Sequence, residues 1–294
     1  MPKSRFYIAL HFSVLLFGFA GLFGKWLSIP SELIVLGRTL FASLGIGIWF
    51  LVRPGDFTFP SRKHLLTFFL SGSLLAFHWL AFFKSIQLSS VAIGLLTFSS
   101  FPLFVILLAP FTTKETFSLK EVGVVILILI GTALLLPWDN LQGNLLWGII
   151  WGLLAGFSFA LLNIVNKGLV STYTSLHITF YQCLIATIVL IPFSLGTQAL
   201  PTGTQISLLV LLGILFTAVA HSLYIFSMKG LRTQLVSITA CMEPVYGILA
   251  AFLLLGERPE WMVLAGGGLI LLATLLASIS FPTPAPASTS PDGK

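Results

Sequence analysis

Charge and cysteine are both scarce in this chain. Asp, Glu, Lys and Arg make up 8% of its 294 residues, where a soluble domain carries about 25%. So few charges leave no room for a soluble domain. The two cysteines, Cys183 and Cys241, both fall inside apolar stretches, which argues against a disulfide framework and against a zinc site with ligand spacing. No Walker loop is present, so the chain carries no ATP-hydrolysing module. No run of intramembrane arginines suggests voltage sensing. Neither a metal nor a cofactor is called for. The net charge of +6 is a matter of topology, as its distribution shows, and does not point to nucleic acid.

What fills the chain is apolar. Hydrophobic residues make up 57%, and the mean hydropathy is +1.04. Ten apolar stretches lie at 6–24, 33–52, 65–83, 91–110, 121–136, 145–165, 176–195, 206–228, 234–255 and 261–280. A helix needs about 20 apolar residues to cross a hydrocarbon core of ~30 Å, and it satisfies its own backbone there. The expectation is an all-α membrane protein with ten transmembrane helices in a lipid bilayer. Lys3 and Arg5 precede the first stretch as in a secretory signal, but the run is too long for one and no small-x-small cleavage site follows. The tail 281–294, FPTPAPASTSPDGK, cannot form a packed core and is expected to be disordered and cytoplasmic.

The basic residues set the orientation. With the N-terminus inside, cytoplasmic segments hold Lys3, Arg5, Arg53, Arg62, Lys63, Lys114, Lys120, Lys167, Lys229, Arg232 and Lys294, which is 11 of the 15. The opposite side holds Lys25, Lys84 and Arg258. Positive charge resists translocation, so both termini are expected in the cytoplasm. Trp26, Trp49, Trp138, Trp147 and Trp261 sit near the ends of stretches, where an interfacial aromatic belt belongs.

Sliding the chain on itself by 142 residues pairs Lys25 with Lys167, Ser85 with Ser227, Pro102 with Pro244, Glu115 with Glu257 and Thr132 with Thr274. The copies run over 1–142 and 143–280, with five stretches each. An odd number makes the second copy enter the membrane from the other side, so the repeats are inverted. Secondary transporters use that symmetry to open one midplane site alternately to each face. An enzyme or a receptor has no comparable use for it.

Two tracts carry a family resemblance: CMEPVYGILAAFLLLGE, with Glu243, Pro244, Gly256 and Glu257, and LLTFSSFPLFVILLAPFTTKE, with Pro102 and Glu115. Over residues 6–280 the halves resemble two EamA domains of the drug/metabolite transporter superfamily. The resemblance implies ten helices, cytoplasmic termini, a bacterial inner membrane, a central cavity between the halves, and export or exchange of small metabolites. The first half departs from the stronger motif by having Phe101 where the second has Glu243.

Few strongly polar side chains lie at membrane depth, and ionisable ones cost about 2.5–3.5 kcal/mol at the centre of a span, which marks them as functional by default. Glu243 is too deep to snorkel, and a carboxyl so placed can load and release a proton. Arg38 lies about six residues into its stretch, at a depth of ~9 Å. It is either an interfacial anchor or a cavity cation that pairs with Glu243 or a substrate carboxylate. His78 and His221 occupy similar places, one residue out of register with the 142 offset, and suit a proton relay or a hydrogen-bonded core.

Trp79, Ser99, Phe101, Asn163, Tyr224 and Tyr246 join them as candidate pathway residues, with Ser100, Trp151 and Gln182 beside them. Pro102 and Pro244 are candidate hinges. Gly148, Gly152 and Gly156 form a small-residue stripe for close helix packing. The leading expectation is a non-enzymatic secondary transporter of small amphipathic metabolites such as amino acids or their derivatives, coupled to protons or facilitative. Its partners are a small-molecule substrate, possible proton exchange at Glu243, and lipid; no nucleic acid is expected. Two alternatives stay open: an intramembrane enzyme using His78, His221 and Glu243, and a non-transporting scaffold or receptor.

Overall fold

The computed structural model describes residues 3–112, 119–134, 143–196, 200–256, 258 and 261–280. Among them every regular element is helical. Lys114, Glu115, Trp138, Glu257 and the tail from Phe281 lie outside the described residues. Helix α1 (Ser4–Ala20) leads through a turn into α2 (Phe23–Trp26), followed by α3 (Ser31–Val52) and α4 (Arg62–Leu88). Then come α5 (Val91–Phe98), α6 (Phe101–Thr112) and α7 (Leu119–Ala133). The second half holds α8 (Asn144–Leu169), α9 (Ser175–Ser194) and α10 (Gly203–Gly213), which passes through a π-helical stretch, Ile214–Val219, into α11 (Ala220–Ser227). It ends with α12 (Thr233–Ala240), α13 (Glu243–Leu255) and α14 (Trp261–Ser280).

Among the described residues seven helical runs are long and apolar enough to cross a membrane: Ser4–Trp26, Ser31–Val52, Arg62–Leu88, Asn144–Leu169, Ser175–Ser194, Gly203–Ser227 and Thr233–Leu255. Val91–Val105 is a shorter apolar helix, and α7 and α14 are apolar helices packed on each other. The expected count of ten is not reached by this measure. Polarity is arranged as lipid demands. Ile48, Leu51, Phe69 and Leu253 are exposed while Arg38, His78 and Gln182 are buried, so these polar groups find partners inside the bundle.

The 142-residue offset is visible in the helices themselves. One helical run breaks at Ser99–Ser100 and the other at Cys241–Met242, and α5 and α12 begin and end at equivalent positions. Lys25 Nζ donates to Ser89 O at 3.0 Å, and Lys167 Nζ donates to Leu231 O at 2.8 Å. Both lysines and both acceptors are offset by 142. Two further contacts join residues that are themselves repeat partners. Cys241 Sγ lies 3.7 Å from Ser99 O, and the Trp79 and His221 rings meet edge to face at 5.5 Å. The pseudo-twofold axis therefore passes between them.

This arrangement corrects the pairing of His78 with His221. The repeat partner of His221 is Trp79, and the N-caps Ser61 and Thr202 stand 141 apart while Ser85 and Ser227 stand 142 apart. One extra residue sits inside the second copy, and the wider π-helical turn at Ile214–Val219 absorbs it.

Small residues let these helices close on the axis. A Cβ on Gly156 would stand 2.9 Å from Phe98 O, so α8 lies directly against the end of α5. On the other side of the axis a Cβ on Gly18 would stand 2.7 Å from Tyr246 Cβ and 2.9 Å from Gly247 N, pressing α1 onto α13. Polar contacts close both ends. At the end bearing the N-terminus, Thr58 N donates to His177 Nε2 at 2.9 Å, Lys167 holds the 228–231 turn, and Arg232 pairs with Glu121 at 3.0 Å. At the opposite end Lys84 pairs with Glu32 at 3.4 Å, and Gln87 Nε2 donates to Ile29 O at 2.9 Å.

Candidate functional site

The break between α12 and α13 places a carboxylate at the centre of the bundle. Cys241 N and Met242 N donate to Ile238 O and Thr239 O at 3.1 and 3.0 Å, a tightened turn of the 3₁₀ type. Glu243 is then the first residue of α13, with Pro244 in the same turn. Proline is at home there because the first turn needs no intrahelical donor from it. The proline thus follows the break and stabilises the restart of the helix. That restart also turns the positive end of the α13 dipole towards Glu243. In the first half Phe101 and Pro102 occupy the equivalent first turn of α6.

Arg38, the eighth residue of α3, is 1% exposed and points inward. Its Nε donates to Thr217 Oγ1 at 2.9 Å, and Nη2 donates to Phe216 O at 3.4 Å. Both acceptors belong to the π-helical stretch. The guanidinium lies 3.8 Å over the Trp79 ring, a contact worth about 2 kcal/mol or more when desolvated. Thr217 Oγ1 in turn donates a hydrogen bond to Leu212 O at 2.8 Å.

The histidines are fixed by different partners. His78 Nδ1 lies 3.0 Å from Ala155 O, and since a carbonyl only accepts, the proton sits on Nδ1 and leaves Nε2 as an acceptor in the neutral ring. The ring stacks on Phe159 at 4.7 Å. His221 Nε2 lies 3.1 Å from Gln182 Oε1, and Gln182 Nε2 donates to Asn166 Oδ1 at 2.6 Å. Gln182 is the eighth residue of α9, the place that Arg38 holds in α3.

One cavity collects these groups. Arg38, His78, Trp79, His221 and Glu243 line it together with Phe17, Ala20, Phe82, Phe98 and Phe159. Its volume is ≈ 20 Å³, room for about one water and far below the ~300–1,000 Å³ of a small-ligand pocket. The bundle is closed around its charged centre. Two larger hollows, ≈ 540 and ≈ 600 Å³, flank α3 on the outer surface. Among the described residues they hold no charged side chain, and they face where lipid would lie, so their size does not make them the site.

The other expected residues stand outside the lining. Phe101 packs behind the wall, stacked on Phe98 at 5.0 Å and edge-on to Phe159 at 5.1 Å. Tyr224 rests on Phe17 and Phe159 at 5.6 Å each, with Asn163 against it. Ser99 forms the first break, its Oγ donating to Leu95 O at 2.9 Å. Tyr246 packs across Gly18. Sequence reasoning missed Phe17, Phe82, Phe98 and Phe159. Phe17 and Phe159 are a 142-residue pair, so extending the offset search to aromatics would have found them. Thr217 left a fainter mark, the one-residue slip of the histidines. Among the described residues no group of three or more His, Cys, Asp or Glu could hold a metal ion.

Residues 5–136 and 146–279 each match the EamA-like transporter family. Over 288 residues the chain is 31% identical to an "Uncharacterized transporter YxxF" of Bacillus subtilis, covering 92% of this chain and 90% of that one. An "S-adenosylmethionine uptake transporter" of Rickettsia felis is 27% identical, over 70% of this chain and 69% of its own length. An "Uncharacterized inner membrane transporter YicL" of Salmonella typhimurium is 25% identical, over 85% and 86%. A protein of known crystal structure has the same fold, with a TM-score of 0.77 at 16% identity, over 95% of this chain and 98% of that one.

Proposed function

The chain belongs to the EamA-like transporter family, a multi-pass membrane transporter, and on that premise we propose that it moves small zwitterionic, amphipathic solutes such as amino acids or their derivatives by alternating access. The observation that carries this reading is Arg38 and Glu243 lining one aromatic-walled cavity beside the pseudo-twofold axis. Arg38 offers a planar fork to a solute carboxylate, and Glu243 offers an acceptor to its amine. Trp79, Phe82, Phe98 and Phe159 take the apolar body, as the walls of small-ligand sites do. Solute entry exchanges the Arg38 bonds to Thr217 and Phe216 for bonds to the carboxylate, and a proton arriving at Glu243 displaces the amine.

In this reading α7, α14 and the paired helices α5–α6 complete ten spans in two inverted copies, 1–142 and 143–280, in a bacterial inner membrane with both termini cytoplasmic. Among the described residues the lining includes acid–base groups but no Ser, Thr or Cys nucleophile, which supports transport over catalysis. Export is the direction we propose, as the family resemblance implies. Uptake is the second reading, favoured by the relatives named for S-adenosylmethionine uptake, since that solute also carries an amino-acid head on a larger body. A metabolite screen in vesicles from cells with and without the chain tests both: accumulation of zwitterionic solutes that depends on the chain supports the proposal, and no such solute among those moved refutes it.

A further inference from the structure

The two halves differ in what lies beyond the cavity. Phe159 and His221 line it. One turn further towards the N-terminal end, on the same faces of α8 and α11, stand Asn163 and Tyr224, and Asn166 follows. Helix α12 adds Gln234 and Ser237, one turn apart. All five are 0–1% exposed. Yet Nδ2 of Asn166, both polar atoms of Gln234 and Oγ of Ser237 meet no hydrogen-bond partner among the described residues, and Asn163 and the Tyr224 hydroxyl face only one another, short of good hydrogen-bond geometry. Leaving such a group unpaired costs about 1–3 kcal/mol, and buried polar groups in native proteins find protein or water. A cluster of orphaned donors and acceptors in a membrane bundle therefore points to water as the ligand.

The repeat supplies the control. The counterparts 142 residues earlier are Gly21, Phe82, Gly24, Ala92 and Leu95. Not one has a polar side chain, and they lie on the Lys25 side of the axis. The His221–Gln182–Asn166 chain of hydrogen bonds runs from the cavity into the polar half, not the apolar one.

We propose that these residues form a hydrated half-passage from the cavity to the N-terminal end, which admits water and small cations to Glu243 while the solute path is closed, whereas the Lys25 side stays dry. The proposal rests on the reading of Glu243 as a proton-binding group. Protons then reach and leave that carboxylate from the N-terminal face without the bundle opening.

Silver ion, a thiol-reactive cation about the size of a water molecule, is the probe. In the full chain carrying Cys183→Ser and Cys241→Ser, Ser237→Cys is compared with its repeat counterpart Leu95→Cys in membrane vesicles of each orientation. Protection is read as the loss of thiol alkylation after denaturation. A thiol reacts as its thiolate, which needs water, so Ser237→Cys is expected to react from the N-terminal face about tenfold faster than Leu95→Cys does from either face. Asn163→Cys against Gly21→Cys gives a second pair should Ser237→Cys not fold. Equal rates within both pairs, or reaction of the polar-side thiols from the opposite face, overturn the passage. Adding Glu243→Gln separates the two claims. Rapid silver reaction together with pH-dependent flux in that variant removes the proton role of Glu243 and leaves the passage standing.

Discussion

At the scale of single residues, the buried Arg38 guanidinium is held by two acceptors along its edge and by one aromatic ring over its plane. Thr217 accepts from Nε, Phe216 O accepts from Nη2, and Trp79 covers the plane. Thr217→Val removes one acceptor and leaves a charged donor short of a partner, at a cost of about 1–3 kcal/mol. Thr217→Ser keeps the acceptor. Thermal unfolding of the purified protein should show a lowered midpoint for valine and a near-native one for serine; equal midpoints would show that the bond carries no stability. Glu243→Gln keeps the shape and removes the titratable group, so the variant should insert and fold while its flux loses its dependence on pH. Equal pH profiles in wild type and variant vesicles would rule Glu243 out as the proton carrier. Sequence alone left Arg38 between anchor and cavity, because a depth of ~9 Å is within snorkelling reach and only the packing of α3 on the π-helical stretch decides.

At the scale of elements, the bundle depends on helices that touch through glycine. Gly156 admits the end of α5, with a Cβ position only 2.9 Å from Phe98 O and 3.0 Å from Ser100 Oγ. Gly156→Ala should therefore destabilise by about 1–3 kcal/mol through overpacking, whereas Gly168→Ala, with nothing within 4 Å of its Cβ position, should be neutral. Folded yield after membrane extraction distinguishes them. The helical state of every described stretch was legible, since long apolar runs admit little else in lipid. The breaks were only half legible. Pro102 and Pro244 flagged the neighbourhood, but the chain turns at Ser99–Ser100 and Cys241–Met242, before each proline, because proline suits the first turn of the new helix. The π-helical stretch leaves no compositional mark, being an extra residue whose presence shows only against the other copy.

For the whole molecule, the contacts sort the loops by end. The N-terminus, the 53–61 loop, the 170–174 turn and the 228–232 turn gather at one end, joined by Phe6–Phe226, Ser61–Tyr173, Lys167–Leu231 and Arg232–Glu121 contacts. Those segments carry most of the described basic loop residues, so the charge bias predicts that this end faces the cytoplasm. A cysteine placed beside Arg62 should resist an impermeant thiol reagent added outside intact cells, and its modification would reverse the orientation.

The repeat was legible at the level of offset and matched residues, while the asymmetry that gives one copy Glu243 and the other Phe101 became functional only when Phe101 was seen behind the wall rather than in it. The most direct measurement of the central claim is solute counterflow in proteoliposomes, using a zwitterionic solute from the vesicle screen. Wild type, Arg38→Met and Glu243→Gln are compared with a form of the same solute esterified at its carboxylate. Arg38→Met should lose recognition of the zwitterion and of its carboxylate, Glu243→Gln should weaken recognition of the amine, and the ester should be discriminated by wild type but not by Arg38→Met. Unchanged selectivity between zwitterion and ester in both variants would contradict a site built on Arg38 and Glu243.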